Sequence, residues 1–243
     1  MRRYLKTTLL RLSKLLAFVL LCLLIYLLRP WEALPAEWNP WAPLSVDHPL
    51  TPVTRLKLSQ LINSPTECSA ALATASGKAL SYTSLDDYTP VTGCPLENVV
   101  RIERSDITFS SPFTVSCPWA VAWTMFERNE LQRLALTHMD SRVERIDHYG
   151  SFACRNVYNR SEGRRSQHAT ASAFDIAGFR LANGERVSVL DDWAETGESG
   201  SANFLRAFQD SACDYFGTVL GPEYNQAHAN HFHLDTSNYG FCR

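Results

Sequence analysis

The stretch that decides the fold is SAFDIAGFRLANGERVSVLDDW, residues 172–193. Two apolar-rich runs flank Asn183-Gly184, a dipeptide typical of the tight turn of a β-hairpin. The pattern predicts a hairpin whose first strand carries Asp175. Farther along the chain, HFHLD (231–235) has the composition of another strand. We therefore expect an antiparallel sheet in the C-terminal half.

Helical patterns surround these predicted strands. The longest is CPWAVAWTMFERNELQRLALTHM (117–139), in which apolar residues recur roughly at helical spacing. SANFLRAFQDSACDYFGTVLG (201–221) begins at a Ser/Asn cap and is predicted to be a helix that ends at Gly217 or Gly221. Shorter helices are predicted at 54–62 and 66–75, and strands in ENVVRIERSDITF and VERIDHYGSFACR. This mixture predicts an α+β domain, an antiparallel sheet with flanking helices.

Four of the seven histidines lie in two short stretches, SQHATASAFDIAGF (166–179) and HANHFHLD (228–235). Residues two apart in a strand face the same side, so His231 and His233 project together. His168 and Asp175 are seven apart and could not share a face of one continuous strand. The loop that carries His168 must therefore bend back before the strand that carries Asp175.

Two neutral imidazoles and one carboxylate leave a tetrahedral zinc ion with an open fourth position, the arrangement of a catalytic site. The same ligand types also serve iron(II) oxygenases, although redox-inert zinc suits an oxidising compartment better. Histidines at strand ends are also common as solvated or structurally hydrogen-bonded residues. The residue pattern alone leaves these alternatives open.

The N-terminal segment predicts that the rest of the chain is exported. Five cations precede an apolar run from Leu15 to Leu28, and no acidic residue occurs before Glu32. Such a segment keeps its N-terminal side in the cytoplasm. Residues 1–29 are interpreted as an uncleaved signal anchor, with a cleaved signal peptide as the alternative. Residues 30–52 hold half of the prolines and are interpreted as a stiff linker, whose tryptophans lie at the lipid interface or pack on the exported domain, residues 53–243.

Cysteine usage agrees with export. Cys22 lies in the apolar run, and six cysteines remain in the exported part, which predicts three disulfides of unresolved pairing. The spacing of these cysteines does not match a thiolate metal site, so any metal must be held by nitrogen and oxygen. The net charge of −2 offers no basic field for nucleic acid, so nucleic acid is not expected as a partner.

The histidine motifs resemble those of known enzymes. SQHATASAFD resembles the signature of the zinc D-alanyl-D-alanine peptidases and murein endopeptidases (the LAS group), and HANHFH resembles the ending of the endopeptidase branch. From Cys117 to Cys242, with YGSFACR and VLGPEYNQAHANHFHLD, the chain is similar to the bacterial extensin-like C-terminal domain family. The resemblance implies a sheet core like that of the LAS enzymes.

The resemblance also implies roles for individual residues. His168, Asp175 and His233 match the zinc ligands, His231 matches a histidine that acts as the base, and His228 matches a further active-site histidine. His228 would steady the attacking water or the oxyanion, or donate a hydrogen bond to a ligand.

Other positions depart from the motifs or lie beside them. The signature's glycine is Ala171, and Asn230 stands where the dipeptidase branch has a glutamate base. Independently of the resemblance, Arg155 is a candidate for binding a substrate carboxylate, because a guanidinium group binds carboxylates with two hydrogen bonds. Asp235 is expected to cap or pair structurally.

The resulting hypothesis is a zinc-dependent peptidase of the bacterial cell envelope that acts on peptidoglycan or related peptides. It would be a single-pass protein of the inner membrane with its C-terminal domain in the periplasm. The alternative is a non-catalytic peptidoglycan-binding or scaffolding module that retains the metal-site fold.

Overall fold

A computed structural model describes residues 2–75, 80–194, 199–237 and 239–243. Its α-helices are Arg2–Leu28 (α1), Pro52–Gln60 (α2), Pro65–Ala73 (α3), Cys117–Phe126 (α4), Gln132–Met139 (α5), Val189–Asp192 (α6) and Gly200–Ala212 (α7). Its strands are Leu80–Ser84 (β1), Tyr88–Val91 (β2), Cys94–Leu96 (β3), Val99–Ser105 (β4), Thr108–Phe109 (β5), Phe113–Ser116 (β6), Val143–Gly150 (β7), Ala173–Leu181 (β8), Arg186–Ser188 (β9), Thr218–Leu220 (β10), Phe232–Asp235 (β11) and Phe241–Cys242 (β12).

The strands form three sheets. The largest has seven strands in the order β12-β10-β11-β8-β7-β5, with β9 also paired to β8. Its central pairs, β7–β8 and β8–β11, are antiparallel, whereas β5–β7 and β10–β12 are parallel. The other two sheets are three-stranded (β1-β4-β6) and a β2–β3 hairpin, and strand β5 of the large sheet lies between β4 and β6 in the chain. The predicted α+β class, with an antiparallel sheet and flanking helices, is confirmed.

The hairpin predicted around Asn183-Gly184 is present as β8 and β9. Gly184 has a φ of 86°, a left-handed conformation that glycine adopts without steric cost. Along β8, Phe174 and Ile176 are buried on the core side of the sheet, and Asp175 between them faces the other way. The hairpin therefore fixes which face of β8 carries the carboxylate.

The predicted long helix from residue 117 to residue 139 is two α-helices joined by a π-helical turn, Glu127–Leu131. Every residue of α4 is buried, because the helix lies between the large sheet and the N-terminal elements. Trp119 and Trp123 stack in parallel 5.6 Å apart, and the Trp119 indole N–H donates to the Leu234 carbonyl of β11 at 3.1 Å. The helix thus supports the sheet directly beneath the histidine strand.

One helix boundary predicted from the sequence is wrong. Helix α7 ends at Ala212, not at Gly217 or Gly221, and residues 218–220 form strand β10 between β11 and β12. At Gly217 a Cβ atom would lie 1.5 Å from the Ser237 carbonyl oxygen, so this glycine permits close approach of two backbones instead of capping a helix.

The N-terminal helix α1 includes one span, Leu10–Leu28, that is long and apolar enough to cross a membrane, with a mean hydropathy of 2.2. After it, the proline-rich segment folds back on the domain. Leu44 and Val46 are buried in the same core as α4 and the large sheet. The side chain of Thr51 accepts a hydrogen bond from the Thr54 backbone N–H and caps the N-terminus of α2.

The predicted three disulfides are present. Cys68–Cys117 joins α3 to the start of α4, Cys94–Cys154 joins β3 to the loop after β7, and Cys213–Cys242 joins the end of α7 to β12. Cys22 is a free, exposed cysteine on α1. The disulfides suit a domain that folds outside the cytoplasm.

A buried carboxyl group lies at the start of the π-helical turn. Glu127 is 3% exposed, and its two oxygens accept from the Ile107 backbone N–H at 3.2 Å and the Trp123 indole N–H at 2.9 Å. Burial disfavours the carboxylate and raises the pKa of Glu127 from 4.5 to about 7.

Because of this raised pKa, the folded chain holds a proton that the unfolded chain loses above pH 4.5. We expect stability to fall by up to about 3 kcal/mol as the pH rises from about 5 to about 8. Urea unfolding at both values should show that Glu127→Gln removes this part of the pH dependence. Glu130→Gln, on the same turn but paired with Arg133 at the surface, is the control and should retain it. Equal pH dependence in the wild type and Glu127→Gln would contradict the prediction.

Candidate metal centre

The pairing of β8 with β11 places the first two residues of the candidate site. These strands are antiparallel, and their register sets Asp175 directly opposite His233. Phe174 and Phe232, the neighbours of these residues, are buried on the core side. Strand alternation therefore turns the carboxylate and the imidazole to the same side of the sheet, away from the core.

His168 reaches the same place from a loop, as the sequence predicts. It lies in a short 3₁₀ helix, Gln167–Thr170, whose start is capped by the Ser166 side chain. Ala171 then turns the chain into β8 with a φ of 51°, a left-handed conformation that favours glycine. This position is the one where the motif has glycine, so the alanine makes the bend with some backbone strain and keeps His168 in the site.

Three side-chain atoms converge at this point. His168 Nε2 lies 3.1 Å from His233 Nδ1 and 3.2 Å from Asp175 Oδ1, and His233 Nδ1 lies 3.0 Å from Asp175 Oδ1. All three side chains have little solvent exposure. Among the described residues, these are the three that the geometry brings together as possible metal ligands.

The outer nitrogen of each imidazole has its own acceptor. His168 Nδ1 lies 3.0 Å from the Ser151 carbonyl oxygen, which can only accept, so Nδ1 carries the proton. His233 Nε2 lies 3.1 Å from Asp235 Oδ2 and donates to it. Asp235 is in turn held by the backbone N–H and the hydroxyl of Ser237. These bonds turn His168 Nε2 and His233 Nδ1 toward each other and toward the Asp175 carboxylate.

Three lone-pair atoms at such distances repel one another unless a cation or a proton lies between them. Burial alone would lower the pKa of His233, but hydrogen bonds with Asp175 and Asp235 outweigh it and raise that pKa to about 9. Burial likewise opposes ionisation of Asp175, yet its hydrogen bonds with His168 and His233 hold the pKa of the carboxyl well below its usual range. The cluster therefore favours positive charge at its centre.

The spacing and the donor types fit a small divalent cation. Ligand atoms about 2.1 Å from a tetrahedral ion lie roughly 3.4 Å from one another, close to the separations in this cluster. Two imidazole nitrogens and a carboxylate oxygen are ligands that zinc accepts. Backbone and carboxylate partners on the outer nitrogens of the histidines are typical of metal centres. His168, Asp175 and His233 could thus hold such an ion with one position open.

Two further histidines border the cluster. His231 precedes β11, and its Nε2 lies 3.6 Å from Asp175 Oδ1. Its Nδ1 lies 2.8 Å from the Asn230 side-chain oxygen, and the Asn230 amide donates to the Tyr149 hydroxyl. His228 Nδ1 lies 2.8 Å from the Asn225 side-chain oxygen. The rings of His228 and His231 are 5.2 Å apart.

Burial sets the protonation of both residues. It lowers the pKa of His231, and it lowers the pKa of His228 to about 4, with the neighbouring histidines adding to the effect. Both rings are therefore neutral at neutral pH. In each ring Nδ1 donates to an amide oxygen, so that Nε2 is left as an acceptor.

The five residues open into a cavity of about 410 Å³. Arg155 lines it and lies close enough to His228 and His231 for its charge to lower the pKa of both residues. Within the described part of the chain, no carboxylate lies within 4 Å of the Arg155 guanidinium. The wall beyond Arg155 is aromatic and cationic, with contributions from Tyr158, Arg164, Tyr224 and Tyr239.

All six residues proposed from the sequence line this one cavity. The sequence predicts only a structural cap or pair for Asp235, whereas its carboxylate accepts a hydrogen bond from the candidate ligand His233. The signal was available, because residues 233 and 235 lie two apart on the same strand and share a face. The tyrosines of the wall carried no motif and were missed.

Comparison with known proteins gives one result. Residues 66–243 match the family model described as Extensin-like protein C-terminus. No curated protein and no solved structure matches the chain. The matched range includes every residue of the candidate centre and about three quarters of the 243 residues. The chain therefore belongs to the Extensin-like protein C-terminus family.

Proposed function

We propose that this chain is a zinc-dependent peptidase of the bacterial cell envelope that acts on peptidoglycan peptides or related substrates. The observation that carries the proposal is the convergence of three potential ligand atoms from His168, Asp175 and His233, each separated from the next by 3.0–3.2 Å. The motif resemblance to the LAS peptidases supports the reaction class, and the open cavity beside the cluster supports a substrate of peptide size.

The zinc ion would be held by His168, Asp175 and His233. Of these ligands, His168 would be oriented by the Ser151 carbonyl and His233 by the Asp235 carboxylate. When bound, zinc supplies a Lewis acid that makes water a nucleophile near neutral pH and polarises a carbonyl group. The chain's own contribution is a rigid ligand set. The outer nitrogens of both histidines already donate to fixed acceptors, as ligation needs, whereas the proton that His233 Nδ1 shares with Asp175 would leave when zinc binds.

His231 is proposed as the base and proton carrier. Its free Nε2 faces the cluster, and the hydrogen bond from Nδ1 to Asn230 fixes the ring and makes Nε2 the acceptor. Burial lowers the pKa of His231 and keeps the ring neutral at neutral pH, as a base requires. After accepting a proton from water, the ring can donate it to the leaving amine.

His228 is proposed to position the attacking water. Asn225 accepts from the Ala227 backbone N–H and from His228 Nδ1, which leaves His228 Nε2 without a proton. A neutral ring in this tautomer accepts a hydrogen bond and cannot donate one to an oxyanion. Of the two roles that the resemblance suggests, orientation of water therefore has the better support.

Arg155 is proposed to bind a carboxylate of the substrate. Its guanidinium lines the cavity near both histidines and has no carboxylate partner in the described residues. A bidentate contact would fix an acidic peptide end relative to the cluster. Peptides with a free carboxylate near the cleaved bond are the substrates that this arrangement favours.

The cellular setting is also a proposal. The span Leu10–Leu28 would cross the inner membrane once, and cations on its N-terminal side favour a cytoplasmic N-terminus. The disulfide-bonded domain would then lie in the periplasm, where peptidoglycan peptides occur. Disulfides persist in that compartment.

The first prediction concerns metal content. The full chain, purified in detergent without chelator or histidine tag, should contain about one zinc per molecule by plasma mass spectrometry. His168→Ala and His233→Ala should lose nearly all of it, because each removes one of three ligands. His138→Ala, on α5 and outside the cavity, is the matched control and should keep its metal. A wild-type chain that takes up no zinc after incubation would sink the assignment.

A second prediction tests the support of the ligands. Asp235→Asn should weaken zinc binding by about 10-fold to 100-fold, because the acceptor that orients His233 is lost. Competition with a chromophoric chelator at pH 7.5 measures the affinity. Asp147→Asn, which changes a carboxylate of the same sheet that pairs with arginines, should have the wild-type affinity. An equal loss in both variants would mean that Asp235 only stabilises the sheet.

A third prediction tests the reaction. Incubation of the zinc-loaded chain with purified peptidoglycan should release new amino termini and change the muropeptide profile. His231→Ala should keep its zinc and cleave about 100-fold more slowly, because the base is missing. Asp175→Ala should lose zinc and cleavage together. His138→Ala again serves as the control.

The alternative function has its own outcome in the same experiment. If the chain sediments with peptidoglycan and no product appears at any zinc concentration, it is a binding module and the peptidase proposal is wrong. Equal cleavage by the wild type and His231→Ala would instead remove His231 from the mechanism.

A further inference from the structure

Exposed apolar side chains are concentrated just after the candidate membrane span. Leu34, Trp38 and Trp41 are 46%, 49% and 67% exposed, and the ring of Trp31 contacts that of Trp41 with the centroids 4.5 Å apart and the planes tilted by 38°. Tryptophan has a strong preference for the boundary between lipid and water. Exposed apolar groups of this kind mark a surface that contacts a partner.

The same segment is fastened to the domain. The Thr51 hydroxyl donates to the Glu37 carbonyl oxygen at 2.6 Å, and the Lys57 ammonium donates to the Ala36 carbonyl oxygen at 3.2 Å. Farther along, Val46 is fully buried in the core and its backbone N–H donates to the Thr74 hydroxyl. From residue 36 onward the chain is therefore part of the folded body and does not act as a spacer.

Chain length limits how far this body can stand from the membrane. Seven residues lie between Leu28, the end of the span, and Ala36, and four of them form a 3₁₀ helix, Pro30–Ala33. Such a connection reaches at most roughly 25 Å. The contact between the rings of Trp31 and Trp41 shortens the reach further, because it fixes a residue next to the span against one that belongs to the domain.

We propose that residues 31–41, with Leu34, Trp38 and Trp41 outward, form a membrane-contact surface that holds the domain against the lipid headgroups. The partner is a phospholipid bilayer, and the contact is insertion of indole rings at the boundary of headgroups and acyl chains. This inference rests on the membrane anchoring proposed above and is independent of zinc and of hydrolysis. It assigns the tryptophans to positioning of the whole domain.

Tryptophan fluorescence of the full chain in phosphatidylcholine vesicles tests the proposal. Acyl chains brominated near the headgroup quench only indoles that lie in the membrane interface. The quenched share of the emission should fall by more than half in Trp38→Phe/Trp41→Phe, because these two rings supply most of the proposed contact. Trp193→Phe is the matched control, since Trp193 lies after α6 and packs edge to face against Phe232, and it should leave the quenched share unchanged.

Flotation of the vesicles separates the possible failures. If the wild-type chain does not float with the vesicles, the anchoring is wrong and this surface has no membrane to contact. If it floats, but aqueous acrylamide quenches Trp38 and Trp41 while brominated lipid does not, the domain stands clear of the bilayer and the inference is overturned. Neither result bears on zinc binding or peptide cleavage.

Discussion

The antiparallel register of β8 and β11 is the constraint on which the candidate centre depends. It sets Asp175 opposite His233 and turns both away from the core, and a shift by one residue would bury them and expose Phe174 and Phe232. The buried phenylalanines therefore hold the register that the polar residues need. Trp119 adds a second restraint, because its indole N–H donates to the carbonyl oxygen of Leu234, the residue that follows His233 on β11.

Around this pair, the outer hydrogen bonds decide what the donor atoms can do. The Ser151 carbonyl and the Asp235 carboxylate accept from the outer nitrogens of His168 and His233 and so turn the inner nitrogens toward the centre of the cluster. The side-chain oxygen of Asn225 accepts from His228 Nδ1, and that of Asn230 accepts from His231 Nδ1. Each bond leaves Nε2 of the ring as a hydrogen-bond acceptor beside the cluster. A candidate set of three ligands and two neutral acceptors is thus held in place by neighbours that do not touch its central position.

Local patterns predicted much of this arrangement. The Asn183-Gly184 turn, the alternation of HFHLD and the bend after His168 each depend on a few adjacent residues, and all three are present. The end of α7 was not predictable in the same way, because strand β10 exists only through pairing with β11 and β12. Disulfide pairing and the tyrosine wall likewise arise from contacts between distant parts of the chain, which a sequence pattern does not contain.

Formation of the Cys94–Cys154 disulfide affects how rigidly the candidate centre is held. It spans 60 residues and holds the loop that begins at Ser151 and carries Arg155 toward His168. In the chain-entropy description, closing a loop of that length lowers the entropy of the unfolded chain and raises its free energy by about 4 kcal/mol. A chain still in a reducing compartment lacks this restraint. Formation of this disulfide is therefore the step at which the loop, and with it the His168 side chain that Ser151 holds, gains its full rigidity.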